Sequence, residues 1–140
     1  SKRHSSGALV IDDTYNANPE SMQAAIAVLA ACPGRTIFVM GDMGELGEHA
    51  EAMHATIGEF AKRAGVHALF ALGEMSAAAA RSFGEGARHF PSVEELSNAL
   101  VRGLDHGSTV LVKGSRFMCM ERVVDALGAV NGESAMKGSA

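Results

Sequence analysis

One pattern constrains this chain more than any other. Short apolar runs of strand length alternate with segments of helical spacing. The runs are Ala8–Asp13, Thr36–Met40, His67–Leu72 and Thr109–Lys113, with a weaker one at Ala87–Phe90. Behind each comes a face repeating at i, i+3, i+4 and i+7. After the first run it is Met22, Ala25, Ile26 and Leu29; after the second, Met53, Ile57, Phe60 and Ala61. The third run leads into the alanine-rich Ser76–Phe83, the weaker one into Val93, Leu96, Leu100 and Leu104, and the last into Met120, Val123, Val124 and Leu127. Each such face must be buried against another element, and strands that read as continuous apolar runs suit burial on both sides. The pattern predicts an α/β fold: a Rossmann-like three-layer domain with a mostly parallel sheet of about five or six strands and helices on both faces. It leaves open the strand order and the direction of any edge strand.

The chain has 140 residues, 47% of them hydrophobic, enough for one core, and no internal linker divides it. Residues 8–128 read as the folded domain, 1–7 as an N-terminal remnant or linker, and the small, polar 129–140 as a flexible tail. The absence of a starting Met suggests a piece of a longer protein. A net charge of −4 argues against general nucleic-acid binding. No apolar run approaches the ~20 residues of a membrane span, and Ser1–Gly7 has no leader-like apolar stretch behind it. Cys32 and Cys119 form no CxxC, so a reducing cytoplasm is the simpler setting than a disulfide framework.

In open parallel sheets, ligands bind beyond the carboxyl ends of the strands. The unusual polar residues of this chain fall there. Asp12, Asp13, Tyr15 and Asn16 follow the first run; Gly41–Gly47 the second; Gly73–Ser76 the third; Lys113–Arg116 the last. The opposite connections, such as Cys32–Arg35, read as ordinary turns. The first loop places two carboxylates where a dinucleotide fold would place GxGxxG. Carboxylates repel phosphate but accept hydrogen bonds from hydroxyls, including those of ribose, and Tyr15 offers a face for a flat ring. Equally, Asp12 and Asp13 could cap local backbone. Asn18-Pro19-Glu20 reads as a helix start: a cap, a first-turn proline and an acid at the positive end.

"GDMGELGE" is glycine-rich but carries no lysine, so it cannot cradle phosphate as a P-loop does. Its Gly41, Gly44 and Gly47 suit tight turning and close approach. His49 and His54 are wrongly spaced to share a metal on one helix face. "KGSR" sets Lys113, Ser115 and Arg116 at a strand end before a helix. Two readings stand together: the cations hold a carboxylate or phosphate, or they pair with Asp12, Asp13 or Asp42 on the same rim.

"DDTYNANPES", "GDMGELGE" and "KGSRFMCME", in this order and spacing, closely resemble the C-terminal domain of the Mur ligases, in particular the members that add D-alanyl-D-alanine. The resemblance runs from about Ala8 to Leu127. It implies a role in bacterial peptidoglycan synthesis in the cytoplasm, using ATP and Mg2+ to convert the carboxylate of UDP-N-acetylmuramoyl-tripeptide into an acyl phosphate that the amine of D-Ala-D-Ala attacks. It further implies an N-terminal domain for the UDP-sugar, a central domain for phosphates and metal, and this domain closing over them. By position, Asp13, with Asp12 second, resembles the ribose-binding aspartate. Tyr15, Asn16 and Asn18 resemble nucleotide-lining residues. Lys113, Ser115 and Arg116 resemble the loop facing the dipeptide. No GKT or GKS phosphate loop and no evident acid, base or nucleophile occurs in the chain, so the chain alone is expected not to ligate. Two other classes remain: a freestanding small-ligand-binding module, and a structural domain whose loops pair only among themselves.

Overall fold

The computed structural model describes residues 1–128; the tail expected at 129–140 lies outside them. In chain order the elements are β1 (Lys2–Arg3), β2 (Leu9–Asp13), α1 (Pro19–Ala30), β3 (Thr36–Gly41), α2 (Ala50–Ala64), β4 (Ala68–Leu72), α3 (Ser76–Phe83), β5 (Ala87–Phe90), α4 (Val93–Arg102), β6 (Thr109–Lys113) and α5 (Glu121–Ala126). Short 3₁₀ turns at Gly47–His49 and Arg116–Met118 precede α2 and α5. The strands form one sheet in the order β1-β2-β6-β3-β4-β5. Every pairing is parallel except that of β1 with β2.

The helix boundaries follow from local chemistry. Asn18 Oδ1 accepts from Ser21 N at 2.8 Å while Ser21 Oγ accepts from Asn18 N at 3.0 Å, a reciprocal capping box at the start of α1. Ser92 Oγ accepts from Glu95 N at 3.1 Å and caps the start of α4 from one side only. A last turn bearing Lys62 and Arg63 brings α2 to Gly65, whose φ of 95° lets the chain leave in a left-handed turn.

Strand alternation then sorts the core into two faces. Ile37 and Val39 of β3, Phe70 of β4 and Val110 and Val112 of β6 pack with Leu96 and Leu100 of α4 and Val123 and Val124 of α5. Phe38 and Met40, Leu69 and Leu111 point the other way, against Met22, Ile26 and Leu29 of α1, Ile57 of α2 and Phe83 of α3. The expected three layers are therefore present, with α1, α2 and α3 on one face and α4 and α5 on the other.

The first residues differ from the expected linker. Lys2 and Arg3 pair antiparallel with Val10 and Leu9. His4 N donates to Ala8 O at 3.0 Å and Gly7 N to His4 O at 2.9 Å, closing the connecting turn. A strand of two basic residues has no apolar run, so the hydrophobic pattern could not announce it.

The helices α2 and α3 approach closely because their facing residues are small. A Cβ on Gly58 would run into the carbonyl oxygen of Ala79 and the Oγ of Ser82. Ser82 Oγ in turn donates to Ala55 O across the interface at 2.6 Å. We expect Gly58→Ala to destabilise the fold by about 1–3 kcal/mol, the usual cost of forcing a carbon into a packed interior. Equilibrium urea unfolding checks this: the midpoint falls at an unchanged slope, and an unmoved midpoint would refute the close approach.

Candidate functional site

The chain leaves β2 for α1 on one face of the sheet and leaves β6 for α5 on the other. Since β2 and β6 are neighbours, their carboxyl-end loops diverge and a crevice opens between them, as open α/β sheets show wherever successive connections switch faces. An open cleft of about 500 Å³ lies there, lined by Asp12, Asp13, Thr14, Tyr15, Arg116 and Glu121. A groove of about 580 Å³ between α2 and α3 is slightly larger, but its floor is Ala52, Ala55 and Ala78 and its charges include the exposed Arg81–Glu51 pair at 3.4 Å. Size does not decide between them; convergent polar groups at the switch point do.

Within the cleft the two aspartates have different partners. Asp12 Oδ1 accepts from Thr14 Oγ1 at 2.7 Å, and its Oδ2 lies 4.0 Å from Lys2 Nζ of the edge strand. Asp13 Oδ2 accepts from Lys113 Nζ at 3.0 Å. Lys113 also donates to Asn16 O at 2.9 Å. The Lys113 side chain is 5% exposed and that of Asp13 43%, so the pair has a sealed end and an open end. Tyr15 is 75% exposed, and the Arg116 guanidinium carbon sits 5.2 Å from its ring centroid, a cation–π contact across the mouth of the cleft.

The other rim loops brace this arrangement from below. Buried Asp42 accepts from Ser76 N at 2.8 Å, Ser76 Oγ at 2.7 Å and Met75 N at 3.2 Å. Gly73, with φ at 111°, leaves room for that carboxylate; a Cβ there would strike it. Ser115 N donates to Asp42 O at 3.0 Å, and Ser115 Oγ accepts from Gly44 N at 2.7 Å while donating to Ala17 O at 3.3 Å. His54 is wholly buried; Nδ1 donates to Ala50 O, and Nε2 accepts from Met43 N at 2.9 Å. Both ring nitrogens are thus occupied. Among the described residues no group of three or more His, Cys, Asp or Glu is placed to hold a metal ion, and Cys32 and Cys119 are free thiols.

The residues singled out from sequence therefore separate. Asp12, Asp13, Tyr15 and Arg116 line one cleft. Asn16 contributes its carbonyl to Lys113, and the Asn18 side chain is committed to the α1 cap. Lys113, expected to face the dipeptide, is sealed beneath the first loop, because β6 runs directly alongside β2 with Lys113 in register with Asp13. Ser115 is buried and ties three loops together. Thr14 and Glu121, which no sequence motif singles out for chemistry, also line the cleft. Both sit inside the quoted motifs, Thr14 between Asp13 and Tyr15, and Glu121 at the end of "KGSRFMCME".

The comparisons with known proteins agree with this architecture. Residues 2–116 match the family described as Mur ligase, glutamate ligase domain. The chain is 45% identical over 121 residues to the UDP-N-acetylmuramoyl-tripeptide–D-alanyl-D-alanine ligase of Escherichia coli (strain K12), covering 85% of this chain and 26% of that protein. The enzyme of the same name from Bacillus subtilis (strain 168) is 32% identical over 133 residues, with 87% and 28% covered. Among solved structures, the MurF ligase of Thermotoga maritima in complex with ADP superposes with a TM-score of 0.81 at 27% identity, covering 100% of this chain and 31% of that one. MurF from Acinetobacter baumannii gives 0.81 at 32% identity, with 91% and 30% covered. The sheet is of the kind these ligases carry, and the chain belongs to the Mur ligase, glutamate ligase domain family. It spans about a quarter of the length of the relatives it matches. No helix among the described residues is long and apolar enough to cross a membrane.

The bracing carboxylate and the open ones should respond differently to removal. Asp42→Ala strips the acceptor from three donors and is expected to destabilise the fold by about 3 kcal/mol. Asp12→Ala, at an exposed position, should change stability by less than about 1 kcal/mol. Equal shifts in the urea midpoints of the two variants would contradict the division between brace and cleft.

Proposed function

We propose that the chain is the C-terminal, closing domain of an ATP-dependent ligase that joins D-alanyl-D-alanine to UDP-N-acetylmuramoyl-tripeptide in peptidoglycan precursor synthesis. The names of the relatives support that reaction, and the ADP held by the Thermotoga maritima relative supports nucleotide use. The observation that carries the reading for this chain is the composition of the cleft at the β2–β6 switch: acids, an exposed ring and one cation in a single concavity.

The chemistry of those groups assigns the roles. Among the described residues, Asp13 Oδ1 takes no hydrogen bond, and it accepts one from a ribose hydroxyl. Tyr15 lies against the base. Asp12 stands second, since Thr14 already holds one of its oxygens. Asn16 and Asn18 shape the loop rather than touch the nucleotide. Asp12, Asp13 and Glu121 outnumber Arg116, so the cleft suits the nucleoside end of ATP and not its triphosphate. Triphosphate and Mg2+ belong to the other domains of the longer ligase; the described residues here offer no metal-ligand cluster. Arg116 pairs with the free carboxylate of D-Ala-D-Ala, and Ser115 holds its loop in place. Such substrates set the reaction in the bacterial cytoplasm.

In the longer enzyme, Arg116→Ala should raise KM for D-Ala-D-Ala about tenfold or more, as expected when a charge-assisted bond to a substrate is lost. KM for ATP should move far less. An unchanged KM for the dipeptide would remove Arg116 from the assignment. The 140-residue chain alone should release no ADP with ATP, UDP-tripeptide and dipeptide present. Release dependent on both substrates would overturn the view that phosphate transfer needs the other domains.

A further inference from the structure

Lys113 is the residue whose placement the fold alone does not explain. It ends a strand of otherwise apolar and hydroxyl residues and is 4% exposed, yet it carries a charge. Taking an ammonium out of water is unfavourable by several kcal/mol unless it is well paired. A methionine would fill the same space without that penalty. What the ammonium does is specific. It bonds Asp13 Oδ2 at 3.0 Å and Asn16 O at 2.9 Å. These two partners bracket Thr14 and Tyr15, and Thr14 is itself tied to Asp12. The segment from Asp12 to Asn16 is thereby held at both ends from beneath.

The consequence for Asp13 is geometric. One carboxylate oxygen is bonded inward. The other has no partner among the described residues, on a side chain 43% exposed to the cleft. Without Lys113 the carboxyl group could rotate about its side-chain torsions, and neither oxygen would be preset. Preorganised acceptors bind more tightly because less freedom is lost on binding.

We propose that Lys113 is a positioning residue for the nucleotide half of the cleft: its ammonium locks Asp13 and the Asn16 carbonyl so that Asp13 Oδ1 stands ready to accept a ribose hydroxyl. This rests on the nucleotide reading given above, and it moves Lys113 from the dipeptide side to the nucleotide side. Lys113 touches no substrate; it acts through Asp13.

The test compares nucleotides on the same enzyme. The longer ligase is assayed for kcat/KM with ATP, 2′-deoxy-ATP and 3′-deoxy-ATP, as wild type, Asp13→Ala, Lys113→Met, Lys113→Gln and the double variant Asp13→Ala/Lys113→Met. Because the ratio of ATP to deoxy analogue is taken within one preparation, loss of folded protein does not move it. Wild type should prefer ATP over at least one analogue by about tenfold or more, the worth of a hydrogen bond to a charged acceptor. Asp13→Ala and both Lys113 variants should bring that ratio to within about threefold of unity. The double variant should go no further, since the two residues act as one unit. KM for D-Ala-D-Ala should change little. Discrimination retained in either Lys113 variant, with Asp13→Ala abolishing it, overturns the role of Lys113 and leaves the nucleotide reading standing. Discrimination absent from wild type, or retained in Asp13→Ala, sinks the nucleotide reading and this proposal together.

Discussion

The structure depends on one constraint, the seating of β6 between β2 and β3. The last strand among the described residues is among the most central of the sheet, paired in parallel on both sides. That position makes β2 and β6 neighbours whose following helices lie on opposite faces. The divergence of their loops creates the cleft. The same register sets Lys113 beside Asp13 on one side and Met40 on the other. A sheet ordered differently would retain every element and lose the site.

Around that cleft, burial and partners, not residue type, decide what a polar group does. Asp42 and Asp13 are both carboxylates at strand ends on the same rim. Asp42 is enclosed and saturated by the start of α3, so it serves as a strut. Asp13 is half-open with one oxygen occupied, so it retains capacity for something else. Ser115 and Asn18 are small polar residues in motifs of apparent chemistry, yet both are spent on backbone groups that would otherwise lack partners. Arg116 and Tyr15 are the opposite case. They lean on each other at the surface and have exposed faces left over.

Much of this was legible from residues alone, and the limits have physical causes. The period of the apolar residues reported burial, and burial is what makes elements, so the larger strands, the helices and the layering could be read. The rule that ligands gather at carboxyl ends of parallel strands brings the four loops to one rim from sequence alone. Strand order could not be read, because hydrophobic period carries no information about which strands are neighbours. That gap left the partner of Lys113 open between a substrate group and an aspartate of the same rim. In sequence it belongs with Ser115 and Arg116; in space it belongs with Asp13, 100 residues away. Edge strand β1 escaped because pairing through backbone alone needs no apolar side chains. The Asn18 cap, by contrast, was read correctly from its neighbours, since a capping interaction reaches only three residues along the chain. The family resemblance supplied the ribose and dipeptide roles, which neither period nor spacing contains.

The late position of β6 also bears on how the molecule comes into being. As the polypeptide lengthens from its N-terminus, β2 and β3 appear early, but the place between them stays vacant until residues 109–113 arrive. The centre of the sheet is thus closed by contacts of very large sequence separation, the kind that slow folding. Before that closure both strands carry unpaired backbone edges, which are templates for association with other chains. A chain stopped short of β6 would not be a smaller working domain but two half-sheets with a sticky gap. Maturation of the cleft and completion of the fold are therefore a single event.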